Sequence, residues 1–308
     1  MQSTALGDSK KRRIPIFLRI LLPFLLLIIL FFVFGMNSKV ATVEKYLPGF
    51  DSSILSQAQA LTQVLKQTQN ENSAFDSDVA AIARNNPNVQ IGVAVMPYPG
   101  AAIKSFGVTT SFIAASTTKL ICGVDYLQQV EAGKFNIHDS LGVYDASYEL
   151  QLMVNQSDDD AWNLFINLLG QNQIQQFASS IGLQSFNVSN NTIAPSDEVK
   201  LLYGIWSEKL LNHQDTQLIL SYMQNTNDES LIPAAVPQGA VVYHKYGELA
   251  QYNDDGTGNV LHDVGIITNN AKTFMIAIYT NRNDQLDEAT RTAVIQAITK
   301  DAVSIYAP

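Results

Sequence analysis

The sequence predicts an α+β domain: an antiparallel sheet drawing strands from both ends of the chain, with an inserted all-helical lobe, preceded by one transmembrane helix. Three observations carry this. Strand-like runs occupy residues 88–107, helical spacing fills residues 116–227, and strand patterns return after Pro237 before a final helical segment. Runs of one element type followed by runs of another argue for α+β rather than alternating units. A charge-free stretch from Ile20 to Met36 stands apart from the rest.

Taken in order, "KKRRIPIFLRILLPFLLLIILFFVFGM" opens with four cations, Lys10 to Arg13. Counted from Ile14, its apolar run reaches the roughly 20 residues a bilayer span needs. Cations ahead of the span put residues 1–13 in the cytoplasm and everything after Met36 outside the cell membrane. A cleaved signal peptide would have a shorter apolar region and an A-x-A-like site. Ala41 has Lys39 two positions before it, so residues 14–36 are read as a retained, single-pass anchor. Residues 37–74 are weakly amphipathic and rich in Gln, Asn and Ser, which suits a stem.

The domain is expected over residues 75–308. "FDSDVAAIARNNP" reads as a helix stopped by Asn-Asn-Pro, "NVQIGVAVMP" as a strand and "AAIKSFG" as its hairpin partner. "TTKLICGVDYLQQVEAG", "DDAWNLFINLLG", "IQQFASSIG", "SDEVKLLYGIWSEKLL" and "DTQLILSYMQN" have apolar residues at helical spacing, several ending at Gly or Asn. "AVVYHKYGELAQYN", "VLHDVGIIT" and "TFMIAIYTN" are the returning strands, and "QLDEATRTAVIQAITKDAVSIY" is a closing helix. The cleft between lobe and sheet is the natural place for a site.

Charge narrows the partners. The chain of 308 residues carries a formal net charge of −9. Five of its 19 Lys and Arg but one of its 28 acids precede residue 37, which leaves 14 cations against 27 anions, a net of −13, beyond the span. Nucleic acid and anionic lipid both need a basic footprint, so neither is expected as a partner. A small-molecule substrate remains open, because its site is set locally. Cys122 is the one cysteine and excludes an internal disulfide; in an apolar helix it reads as a buried thiol. His138, His213, His244 and His262 are scattered without ligand spacing, so no metal or other cofactor is implied; His244 and His262 read as strand residues near the cleft mouth.

Within "SFIAASTTKLICGVDYL", Ser116 and Lys119 are three apart and share a helix face. They could be a nucleophile and its base, or a polar pair at the start of a buried helix. Ser157, Asp158 and Asp159 precede an apolar helix and could cap it. Lys245, in "HKYG", could be an exposed strand cation. Each has an ordinary reading alone, but the three occur in order as S-x-x-K, S-D-x and K-x-G.

That order resembles the class A β-lactamase and penicillin-binding serine acyltransferases, whose motifs are S-x-x-K, S-D-N and K-T-G. The likeness covers residues 75–308: "QIGVAVMP" is similar to the family's first strand, "KLICGVDYLQQVEAGKFNIHDSL" to its nucleophile helix and "HDVGIITNNAKTFMIAIYTN" to its last hairpin. Together with the apolar span at residues 14–36, the resemblance implies a membrane-anchored, extracytoplasmic serine hydrolase or acyltransferase of β-lactamase/transpeptidase-like fold. Its substrate would be a β-lactam, a peptidoglycan-derived peptide or a related amide or ester. Ser116 would be the nucleophile, activated by Lys119 with its pKa lowered. Ser157 would relay the proton to the leaving nitrogen, and Lys245 would lower Lys119 and attract a substrate carboxylate. The backbone N–H groups of Ser116 and Glu248 would hold the oxyanion beside Gly247.

The pattern also departs from the family. Asp159 stands where asparagine is usual, and an ionised carboxylate only accepts hydrogen bonds. It would meet a donor on the substrate or turn to another partner, such as a lysine of the site. Tyr246 replaces the Thr of K-T-G and sets its hydroxyl further out. No arginine occurs between Arg84 and Arg282. "EKLLN" matches the deacylation motif E-x-x-L-N, but it follows "TIAPSDEVKLL" and sits in a helical repeat, so Glu208 reads as a solvated helix residue. "GLQSFNVSNNTIAPSD", where the family's glutamate loop belongs, contains no glutamate, which implies slow deacylation. The other reading is a catalytically weakened binding or sensor module with the same fold.

Overall fold

The computed structural model describes residues 52–100, 102–250, 259–282 and 288–308. The chain divides into two compact units, residues 1–66 and 67–308. The span expected over residues 14–36 lies outside the described residues, as do the tail before it and the first part of the stem. Among the described residues no helix is long and apolar enough to cross a membrane. The rest of the stem belongs to helix α1 (Ser52–Asn85).

The sheet has the order β2-β1-β9-β8-β7, every pair antiparallel. Its strands are β1 (Val89–Tyr98), β2 (Lys104–Gly107), β7 (Val241–Ala250), β8 (Asn259–Asn269) and β9 (Lys272–Arg282). The two ends of the sequence meet where β1 lies along β9, from Val89 opposite Arg282 to Tyr98 opposite Thr273. Side chains alternate across a strand, so each strand feeds two cores. Val89, Ile91, Val93 and Val95 join Phe274, Ile276 and Ile278 on one face. Ala94 and Met96 join Met275, Ala277 and Tyr279 on the other.

Helices cover both faces. On the first lie α1, through Phe75 and Val79, and α8 (Glu288–Tyr306), through Val294, Ile295, Ile298 and Ala302. Phe75 is wholly buried and meets Phe106 and Tyr306 edge-on, with ring centroids 4.9 and 5.5 Å away. On the second lies the inserted lobe: α2 (Lys119–Glu131), α3 (Ala146–Asn155), α4 (Asp159–Leu169), α5 (Gln171–Ser180), α6 (Pro195–Trp206) and α7 (His213–Tyr222). Caps set its helix starts, because the first N–H groups of a helix lack internal partners. The side chains of Asp145, Asp158 and Asn212 accept from Tyr148, Ala161 and Asp215, and Pro195 opens α6. Two short ladders tie the connections, β3 (Phe112–Ile113) with β6 (Thr192–Ile193), and β4 (Ser140–Leu141) with β5 (Tyr144–Asp145).

Two local expectations change. Glu208 is not in a helix: α6 ends at Trp206, and Glu208 takes φ +55° in the turn that follows, 2.6 Å from His213 Nδ1. The lobe turns there because the Gly204 carbonyl accepts from both Lys209 and Leu210. His244 and His262 are strand residues, as read, but they are buried inside the sheet rather than set at the cleft mouth.

Candidate active site

Ser116 sits in a tight 3-10 turn, residues 115–118, that leads into α2. The residue before it, Ala115, has φ +52°, a left-handed conformation that a non-glycine residue adopts only when its surroundings impose it. The surroundings are explicit. Asn191 donates from Nδ2 to the Ala115 carbonyl (3.0 Å), and its Oδ1 accepts from Thr118 Oγ1 (2.8 Å). Its own carbonyl accepts from Ala114 N (2.8 Å). Beneath the turn, Thr117 Oγ1 lies 2.7 Å from Tyr279 OH, which donates to Glu198 Oε1 at 3.1 Å. Glu198 is fully enclosed, and burial raises its carboxyl to about 7.

His262 braces the preceding strand. Its Nδ1 accepts from Thr280 N (3.0 Å), which leaves Nε2–H to donate to the Ile113 carbonyl (2.7 Å). Burial lowers its pKa to about 3, so the ring is neutral.

The first residue of α2 is Lys119, 3% exposed. Its Nζ donates to the Ser157 carbonyl and to Asp159 Oδ1, each at 2.6 Å. Burial pulls the ammonium below its ordinary range; Asp159, then Asp158, oppose without cancelling the effect. Among the described residues no hydrogen bond reaches Ser116 Oγ, so the hydroxyl is unencumbered at the cleft. Ser157 adopts φ +60° between α3 and α4. Asp158, not Ser157, caps α4, and Ser157 Oγ instead accepts from Lys245 Nζ at 2.8 Å.

Lys245 lies on the edge strand β7, wholly buried. Its Nζ also donates to the Tyr246 carbonyl (2.9 Å) and sits 4.2 Å from the centre of the Tyr246 ring. Burial, then the Lys119 charge, lower its pKa to about 7, against Asp263, Asp159 and Asp228. Behind it, His244 is 1% exposed and lies 3.0 Å from Asp263 Oδ1 and 3.3 Å from Glu229 Oε1. Burial alone would depress this imidazole, but Asp263 and Glu229 outweigh it and raise it to about 9. His244 is therefore a charged pin for β7 and the loop at residues 226–229, with Thr226 Oγ1 at 3.1 Å.

Gly247 brings β7 against the Ser116 turn. A Cβ there would stand 2.8 Å from the Ala114 carbonyl, 2.9 Å from Thr117 Cγ2 and 3.2 Å from Ser116 N. Only glycine lets the strand approach this closely. Glu248 follows on the solvent side of the strand, exposed.

Ser116, Lys119, Ser157, Lys245 and Gly247 thus converge from the turn, the lobe and the sheet edge. Residues 74–306 match the profile of the beta-lactamase enzyme family. The chain belongs to that family. Its fold is shared with solved structures of low sequence identity. One is a PBP-A variant described as an acyl-enzyme complex with penicillin G (TM-score 0.65, 22% identity, 75% of this chain and 96% of that one). A second is the extended-spectrum beta-lactamase TLA-1 (0.67, 22%, 75% and 99%). A third is a beta-lactamase from Chitinophaga pinensis (0.67, 21%, 74% and 97%). No curated protein matches.

Against this beta-lactamase-family background, the motif residues fall where one chemistry could use them, but Asp159 pairs with Lys119. The residues that spacing did not reveal are Asn191, Tyr279, Glu198 and Asn227, none of which stands near another site residue in sequence. Asn191 does lie in the glutamate-free segment before α6. Asp197, in the first turn of α6, accepts from Ser185 N and Oγ (2.7 and 2.6 Å) and from Lys200 (2.6 Å), so it is engaged in holding the loop.

Proposed function

We propose that this chain is an extracytoplasmic serine hydrolase or acyltransferase, anchored in the cell membrane by residues 14–36 and acylated at Ser116. The supporting observation is the convergence of Ser157 with both buried lysines: its carbonyl on Lys119 and its Oγ on Lys245. Neutral Lys119 takes the proton as Ser116 Oγ bonds to the substrate carbonyl carbon. The carbon–nitrogen or carbon–oxygen bond then breaks, and Ser157 passes a proton to the leaving atom. The Ser116 and Glu248 N–H groups receive the developing oxyanion, with Gly247 between them. Substrates are β-lactams, peptidoglycan-type peptides or related amides and esters. The PBP-A likeness supports acyl-enzyme formation. The loop before α6 supplies no glutamate to activate a deacylating water, so the adduct is long-lived.

The test is the intact mass of the detergent-solubilised full chain after addition of a fluorophosphonate or a penicillin, with peptide mapping. A single adduct on Ser116 that persists over minutes is expected. An adduct elsewhere, or none with either reagent, would refute the proposal.

The Lys119–Asp159 contact favours the second reading, a module with weakened turnover. Lys119 accepts a proton only when neutral, above its pKa, and Asp159 holds that pKa up. Asp159→Asn removes the carboxylate, so the rising limb of Ser116 labelling against pH moves to lower pH and labelling near neutrality speeds up. A pH profile unchanged by the substitution would mean that Asp159 does not restrain the base.

A further inference from the structure

Both cations of the site are walled off, and the acids around them are not. Lys245 is wholly buried; two of its donors go to Ser157 Oγ and the Tyr246 carbonyl, and the Tyr246 ring covers it at 4.2 Å. Two of an ammonium's three N–H bonds are thus taken by protein acceptors, and the aromatic ring lies within cation–π range of the group. Lys119 is 3% exposed and bonded to Ser157 and Asp159, while that carboxylate is 84% exposed. Glu229 and Glu248 are exposed as well, and Asp228 acts on Lys245 and Tyr246 through space.

The Tyr246 ring is itself tied down. Its hydroxyl donates to Asn227 Oδ1 (2.8 Å), and Asn227 Nδ2 donates to the Gln156 carbonyl (2.9 Å). Tyr246, Asn227 and Gln156 therefore form a strap from the sheet edge to the loop before α4, lying over Lys245.

Resting on the acylation reading above, we infer that the cleft favours acyl donors that are uncharged or amine-bearing beside the scissile bond over those with a carboxylate there, with Tyr246 as the specificity-determining residue. An anion entering this mouth meets exposed carboxylates, two of them paired (Asp159 with Lys119, Glu229 with His244), while the cations Lys119, Lys245 and His244 are each buried. Such like-charge juxtaposition disfavours the anion. A neutral or ammonium-bearing donor meets no such barrier, and Asp159 and Asp228 attract a positive charge.

The test compares Ser116 acylation by penicillin G and by its methyl ester, which share one lactam and differ in the carboxylate charge. The wild-type chain is expected to react faster with the ester by on the order of tenfold or more, a ratio that shrinks at high salt. Tyr246→Thr uncovers Lys245 and moves the ratio toward the acid. Asn227→Ala, a change at an exposed residue, frees the ring and moves the ratio the same way if Tyr246→Thr does not fold. Wild-type preference for the acid, or no preference, overturns the inference while leaving Ser116 acylation standing. Ester preference untouched in both variants overturns the role of Tyr246. Absence of a Ser116 adduct with the fluorophosphonate and with both penicillin donors removes the acylation reading, and this inference with it.

Discussion

Lys119→Ala is expected to slow acylation of Ser116 by about 10²–10⁴, the usual contribution of a positioned general base, while the domain stays folded. Truncating one partner of a buried ion pair normally strands a charge and destabilises strongly. Here the charge left behind is on Asp159, which is 84% exposed and regains water at once. Alanine also suits the first turn of α2. The lost ammonium had been held against its own desolvation. Thermal unfolding of the variant should thus lie close to wild type, and labelling rates with a fluorophosphonate measure the loss. Labelling at the wild-type rate would transfer the base role to Lys245, whose Nζ already touches Ser157 Oγ.

Gly247→Ala is expected to damage both fold and reaction. The new methyl meets the Ala114 carbonyl, Thr117 Cγ2 and Ser116 N inside van der Waals range. All three belong to the Ser116 turn or the residue entering it, which Asn191, Tyr279 and His262 hold in place. The turn cannot withdraw without breaking those bonds, so β7 must move instead. Overpacking of this kind costs about 1–3 kcal/mol of stability. Displacing β7 also separates the Ser116 and Glu248 N–H groups, and losing one oxyanion donor costs about 10²–10³ in rate. A melt together with the acylation rate reads both effects. Unchanged acylation in a folded Gly247→Ala chain would remove the oxyanion role from this strand.

The sequence by itself determined the architecture. Strand periodicity at 88–107 and again after Pro237, with helical spacing between, requires a sheet closed by both chain ends around a lobe. Pairing of β1 with β9 is its direct consequence. The order Ser116–Lys119, Ser157, Lys245 marked the candidate site whose residues the structure brings together, because each motif depends on local spacing and local element type. Asp159 was legible as a departure, and so was the lack of a glutamate before α6.

What spacing could not say is which atoms meet. Asp158 and Ser157 are equally good caps on paper, and only the packed lobe makes Asp158 the cap and turns Ser157 toward Lys245. His244 and His262 read as cleft residues because a strand's exposure depends on what covers it, and here that is settled by Asp263 and by the strand carrying Ile113. Glu208 followed a helical repeat that the Gly204 carbonyl ends by turning the chain. Asn191, Tyr279 and Asn227 lie far from the motifs in sequence, and long-range contacts leave no periodicity to read. Local patterns are written into the chain by the period of its helices and strands; the hydrogen-bond partners of a site come from distant segments, so only the tertiary structure decided them.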